Sequence, residues 1–206
     1  MKRYRKTSAI VAACLTLALA LAGCSGGSEQ TKPSPTPTPA PEYTAGTLTE
    51  TSFESAYLDM KWQLPQDSSA LMLSEAEVQA FENEMNAQTQ TNNTTVEMMA
   101  FAPDESLSVI VMAELPAISG LTLEQYAQVI ETQTLANEFY SLRAESETMT
   151  LAGKDTIKVS FALENGRYQD YYMMKVHDRF VTILVTYVEQ TEGQAEDAVN
   201  AFQALS

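Results

Sequence analysis

The chain has 206 residues, 12 of them basic and 27 acidic, for a formal net charge of −15. That balance excludes a nucleic-acid-binding surface, because phosphate contacts need clustered Lys and Arg. With two cysteines and one histidine, it also lacks the ligands of an ordinary zinc site.

Lys2, Arg3, Arg5 and Lys6 form a positive head, and residues 9–22 then run apolar apart from Thr16. This is a charged n-region followed by an h-region. It falls short of the ~20 apolar residues that a spanning helix needs, and Gly23, Ser25, Gly26 and Gly27 do not extend it. Leu21-Ala22-Gly23-Cys24 closes the run. These four residues resemble the lipobox of bacterial lipoproteins at every position. The resemblance implies cleavage before Cys24 by a signal peptidase that recognises Leu21, Ala22 and Gly23. It also implies a diacylglyceryl group on the Cys24 thiol and a place on the outer face of the cell membrane. Two acyl chains anchor stably where one does not, at ~0.8 kcal/mol per buried methylene. Cys14 then leaves with the signal and Cys24 is spent on lipid, so no thiol remains for a disulfide. From Cys24 onward, eight basic residues face 27 acidic ones, a formal charge of −19. Such a charge keeps a surface protein soluble and opposes adsorption to anionic polymers.

Residues 24–45 read as a lipidated cysteine and a tether. Pro33, Pro35, Pro37, Pro39 and Pro41 alternate with small residues, a pattern that favours extended polyproline II. At ~3.1 Å per residue, residues 25–45 would reach about 65 Å. Residues 46–206 are the length of one domain. Residues 86–95 are polar and low in complexity, and read as a mobile loop.

The tether gives way to a predicted hairpin, residues 47–53 and 57–64, stopped by Pro65. Ser74 and Glu77 then match a capping box before Val78, Phe81 and Met85. A strand pair follows over 96–101 and 107–114, turning at Pro103-Asp104-Glu105. Thr122 and Gln125 form a second box, with Leu123, Tyr126, Ala127, Ile130, Leu135 and Phe139 at helical spacing. Strands over 156–163, 168–176 and 180–188 make a meander through Asn165-Gly166 and His177-Asp178. The last strand is apolar on both faces, which places it mid-sheet. Thr191 and Gln194 open a third helix carrying Ala195, Ala198, Val199, Phe202 and Leu205.

The predicted fold class is α+β, a central antiparallel sheet of six to seven strands with helices on both faces. Several segments carry a resemblance. These are Phe53 with Tyr57-Leu58-Asp59-Met60-Lys61-Trp62-Gln63-Leu64-Pro65, then Val109-Ile110-Val111-Met112-Ala113-Glu114, and Thr122-Leu123-Glu124-Gln125-Tyr126. Leu151-Ala152-Gly153-Lys154, Tyr171-Tyr172-Met173-Met174-Lys175-Val176 and Phe180-Val181-Thr182-Ile183 continue it. Together with the element order, they resemble the PsbP/Mog1-like domains of lipid-anchored proteins in Gram-positive bacteria. The resemblance implies an α-β-α sandwich and binding or assembly roles, with no catalytic residue to carry over.

No catalytic constellation is legible. Gly-x-Ser-x-Gly and phosphate-loop patterns are absent. His177 beside Asp178 reads as a polar turn, since triads assemble in space. Asp104-Glu105 reads as a turn, and Glu192, Glu196 and Asp197 as a solvated helix face near a favourable dipole end. No calcium loop is present, and no metal or cofactor is expected. Met98-Met99 and Met173-Met174 are expected to place one side chain on each face of the sheet. Trp62 and Tyr172 are expected in the core, with Tyr168 and Tyr171 nearer the surface. The expectation is a non-catalytic, monomeric binding or accessory module, held to the membrane by lipid on Cys24 and facing an envelope protein. The alternatives are an envelope hydrolase with a spatially assembled acidic site, and a small solute- or ion-sensing lipoprotein.

Overall fold

The structure, a computed structural model, describes residues 41–89 and 91–205. Leu21, Ala22, Gly23, Cys24 and most of the Pro-rich segment lie outside the described residues.

Seven strands form one sheet in the order β4-β5-β6-β10-β9-β8-β7. They are β4 (Leu71–Met72), β5 (Thr94–Phe101), β6 (Leu107–Glu114), β7 (Tyr140–Leu151), β8 (Lys154–Leu163), β9 (Arg167–Val176) and β10 (Arg179–Val188). Every pairing is antiparallel. A second, smaller sheet has the order β1-β2-β3-β11, from β1 (Thr47–Leu48), β2 (Ser52–Ser55), β3 (Met60–Gln63) and β11 (Phe202–Gln203). The helices are α1 (Glu75–Thr89), α2 (Leu123–Leu135) and α3 (Glu192–Asn200). The expected α+β class with a central antiparallel sheet of six to seven strands is the observed one, and the sheet has seven.

Strand alternation builds two cores. On one face Val78, Phe81 and Met85 of α1 and Tyr126, Ala127 and Ile130 of α2 pack on Met99, Ile110, Met173 and Leu184. On the other face α3 and the small sheet bury Met98, Val111, Met174 and Ile183. Adjacent residues therefore serve opposite layers, as a side-chain period of two requires, and both methionine pairs divide as expected. The second face is covered by a sheet as well as a helix, and not by helices alone as the sequence pattern predicts.

Local chemistry explains two of the helix starts. Thr122 Oγ1 accepts from the Gln125 amide at 3.3 Å, and Gln125 Oε1 accepts from the Thr122 amide at 3.0 Å, a complete capping box. At α1, Glu77 Oε2 accepts from both the Ser74 amide and hydroxyl. The third box does not form. Thr191 Oγ1 donates to the Ser106 carbonyl at 2.7 Å, and Gln194 Oε1 accepts from Ser69. Gln194 holds a distant segment instead of the helix end, and Thr191 bonds back to Val188 as well as across to Ser106.

Several boundaries differ from expectation. The first predicted strand, residues 47–53, breaks at Thr49, whose hydroxyl accepts from the Thr51 and Ser52 amides. Residues 86–89 belong to α1, so the polar loop is shorter than expected. Phe139 lies beyond α2 and is exposed. Phe202 and Leu205 lie beyond α3, and Phe202 pairs with Trp62 in the small sheet. Strand β7 falls outside the expected elements. Its residues are mostly polar and exposed because it is the sheet's outer edge, so it carries no hydrophobic signal. Ala152 and Gly153, both at positive φ, turn β7 into β8, as a two-residue type I′ hairpin requires.

Trp62 joins the small sheet to α3. It is buried, stacks at a tilt against Phe202, and donates from Nε1 to the Ala198 carbonyl at 2.7 Å. That carbonyl lies in the last turn of α3, where backbone acceptors lack helical partners. Trp62→Phe keeps a ring there but strands the carbonyl. Urea denaturation is expected to show a loss of about 1–3 kcal/mol.

Glu97 and Glu114 are buried carboxylates. Burial raises the pKa of each above the ordinary 4.5, opposed by Tyr43 and the Gly46 amide at Glu97 and by Tyr126 and Asn93 at Glu114. The folded state therefore holds protons that the unfolded chain has released. Their contribution to stability is full below about 4.5 and is lost as pH rises through the raised values. Glu114→Gln is expected to flatten this decline in unfolding free energy, measured by denaturant titrations from pH 4.5 to neutrality.

Candidate functional site

Helix α3 lies over β10 and β6, and the small sheet covers the region beside it. On that same face the outer strands β7 and β8 run past the helix. A cleft of about 320 Å³ opens between them and α3. Its floor follows the sheet register. Ala144, Ser160, Asp170 and Val185 are successive partners across β7, β8, β9 and β10. The small side chains of Ala144 and Ser160 leave room beside Asp170.

Asp170 is buried, with only 7 % of its side chain exposed. Oδ2 lies 3.4 Å from Lys158 Nζ, and accepts from the Tyr187 hydroxyl at 3.2 Å and from the Tyr172 hydroxyl at 3.5 Å. Oδ1 is buried without a hydrogen-bond partner. Arg143 spans the cleft from β7. It donates to the Tyr187 hydroxyl, and its Nη2 lies 2.7 Å from Glu192 Oε1 on α3. Its guanidinium sits 4.1 Å from the Tyr168 ring centre, a cation–π contact. Lys158 is 5.5 Å from the Tyr172 ring centre and 3.7 Å from Glu147. A chain of polar contacts thus runs Glu192, Arg143, Tyr187, Asp170, Lys158.

A β-bulge creates this arrangement. Leu142 pairs with Phe161 and Ala144 with Ser160, so Arg143 is the extra residue. Bulges re-aim side chains, and this one turns Arg143 toward the cleft. A similar insertion occurs in β5, where the register jumps from Val96 to Met98 and leaves Glu97 as the extra residue. The Val96 amide, displaced there, donates to Glu82 Oε2 at 2.7 Å.

Glu97 belongs to a second polar cluster. It accepts from the Tyr43 hydroxyl, and from the Gly46 amide at 2.8 Å. The Arg179 guanidinium lies 3.8 Å from the Tyr43 ring centre. Tyr57 meets Tyr43 edge-on and donates to Asp178. Gly46 has no room for a side chain, since a Cβ would come within 2.3 Å of the Phe53 ring. This cluster fastens the start of the domain to the β9–β10 hairpin.

The remaining residues singled out in the sequence fall as follows. His177 is an exposed turn residue at φ 54°, 5.0 Å edge-on from Tyr57. Asp104 accepts from Ser106 within its turn, and Glu105 pairs with Arg167 at 3.4 Å. Glu192 and Glu196 line the cleft, so they are more than a solvated face. Trp62 and Tyr172 are in the core, and so is Tyr171, against expectation. Asp170, Lys158 and Arg143 stand outside the expectations from sequence. A signal existed in Tyr168-x-Asp170-x-Tyr172-x-Met174, where a carboxylate occupies the core-facing parity of an apolar strand. Among the described residues, no three His, Cys, Asp or Glu side chains group as metal ligands, and no helix is long and apolar enough to cross a membrane.

No protein-family model matches the chain. No curated protein matches it either. Solved structures similar to this chain include the following two. The first is the solution structure of cyanobacterial PsbP (CyanoP) from Synechocystis sp. PCC 6803. It has a TM-score of 0.50 and 9% identity, over 79% of this chain and 98% of that one. The second is a crystal structure of a protein from Bacteroides thetaiotaomicron. It has a TM-score of 0.41 and 12% identity, over 76% of this chain and 49% of that one. The likeness to CyanoP shows a PsbP-like fold.

Burial raises the Tyr172 and Tyr187 hydroxyls above the ordinary tyrosine value of 10.0, and the charge of Asp170 adds to the rise. Asp170→Asn is expected to move both titrations down while leaving them above 10, because the burial remains. Tyrosinate absorbance across an alkaline pH titration measures this.

Proposed function

We propose that this chain is a lipid-anchored, extracytoplasmic binding module of a bacterial envelope. In this role it is non-catalytic and presents the Asp170 cleft to a partner. The membrane arm of the proposal rests on Leu21-Ala22-Gly23-Cys24 and on the Pro-rich run that follows. The placement of the cleft relative to the tether supports it most. The tether enters at Tyr43, which packs on Arg179 at the start of β10. The cleft opens near Val185 and Tyr187, toward the other end of the same strand. Six residues from Arg179 to Val185 span roughly 20 Å at about 3.3 Å each. A domain held at Tyr43 therefore directs the cleft away from its attachment. The cleft's charges are also committed to one another, with Asp170 paired to Lys158 and Arg143 to Glu192. Such pairing suits a preorganised surface for recognition.

Two measurements test the proposal. Cys24→Ser is expected to move the chain from the membrane fraction to the medium, and unchanged fractionation overturns the anchor. A photo-crosslinker at Glu196, beside the cleft, is expected to capture an envelope component on intact cells. The same probe at Asp178, by the tether, is expected to capture little. Capture from Asp178 alone, or turnover of glycoside, ester or peptide substrates by the purified chain, overturns the binding role.

A further inference from the structure

We infer, building on the binding role proposed above, that the cleft takes a primary ammonium group carried on a small flexible ligand. The cleft has an excess of acceptors. Asp170, Glu192 and Glu196 line it against Arg143 and Lys158, and Glu147 stands beside Lys158. Both cations are already paired, Arg143 with Glu192 at 2.7 Å and Lys158 with Asp170 at 3.4 Å. What is left over is acceptor capacity. Asp170 Oδ1 is buried without a partner, and of the six such side-chain atoms among the described residues it is the one on a residue that lines the cleft. Glu196, exposed on α3, has no ionic partner among the described residues. Ser160 adds a hydroxyl to the lining.

These groups discriminate between ligand classes. An anion would meet a net negative lining whose two cations are both occupied. A neutral polyol supplies hydrogen-bond donors but leaves the surplus charge unbalanced. A primary ammonium supplies three donors and one positive charge. The cleft already holds its own cations against tyrosine rings, Arg143 on Tyr168 and Lys158 by Tyr172. Asp170 lines the cleft, and a shift of its side chain is needed to bring the spare oxygen to a group entering from the open side. A volume of about 320 Å³ lies at the small end of ligand sites. It fits an aminoalkyl chain, either free as a diamine or borne as a lysine-like side chain.

Calorimetric titration of the full chain with 1,4-diaminobutane and with Nα-acetyl-lysine amide tests this. The buffer carries about 0.15 M salt, so that diffuse attraction is screened beyond ~8 Å. Saturable one-to-one binding of either probe is expected. Binding of the diamine alone identifies a free amine as the ligand form, and binding of both admits a side chain. Asp170→Asn is expected to weaken binding about tenfold and Glu196→Gln several-fold, the latter at an exposed helix position where folding is not at stake. Glu84→Gln, on α1 across the sheet, is expected to leave binding unchanged. Tetramethylammonium, charged but without N–H donors, and sorbitol are expected to bind at least about tenfold more weakly. Absence of saturable amine binding overturns the inference. So does equal weakening by Glu84→Gln, which marks diffuse attraction, or sorbitol binding as tightly as the amines. If amines fail while Glu196 still captures a partner on cells, the ligand class falls and the binding role stands.

Discussion

Strand β10 is buried on both faces, and the architecture follows from that. Val181, Ile183, Val185 and Tyr187 point into one core, while Phe180 and Leu184 point into the other. A shift of one residue would exchange the two sets. Each set is matched to a different cover, α1 and α2 on one side and α3 with the small sheet on the other. The register of β6, β9 and β10 is therefore fixed from two directions. Burial on both sides also removes water from the middle of the sheet, so any charge there needs a protein partner.

Two of the sheet's bulges show how the chain admits charge without losing the register. An inserted residue escapes the alternation that governs its neighbours. Arg143 and Glu97 are such residues, and each sits in a polar cluster on the face that carries α3 and the small sheet. Elsewhere charge enters at ordinary strand positions, as at Asp170 and Lys158, and is held by mutual pairing. Taking ions from water costs several kcal/mol each unless geometry and hydrogen bonds offset it. Asp170 meets that cost with an ammonium and two tyrosine hydroxyls on one oxygen. Networks of this kind strengthen in a low local dielectric, which accounts for the buried tyrosines beside it.

The two polar clusters differ in what they join. The cluster of Tyr43, Glu97, Arg179, Tyr57 and Asp178 ties the segment around Tyr43 to a hairpin. The cluster of Arg143, Lys158, Asp170 and Glu192 borders open space. It links an edge strand to a helix across a gap, on side chains whose backbones are held by the sheet. A rigid floor with a polar rim is what a binding module needs, and the proposed function draws on that contrast. The PsbP-like fold supplies the scaffold for such a cleft, but fold alone carries no activity.

Much of this protein was written locally. Residues 156–163 alternate, and residues 109–113 and 180–188 run apolar on both faces, so these strands and the mid-sheet place of β10 follow from sequence. The capping residues Ser74 and Thr122 mark two helix starts for the same reason, since their partners lie three residues away. What depended on distant partners was not legible. Thr191 and Gln194 look like a cap but bond to Ser106 and Ser69, and Phe202 leaves its helical pattern to pair with Trp62. Strand β7 carries no periodic signal because an edge strand buries little. The cleft exists only because β7 and β8 extend past α3, and it gathers residues from four strands and a helix. No sequence spacing encodes that gathering, since register, bulge and layer packing together decide which side chains meet.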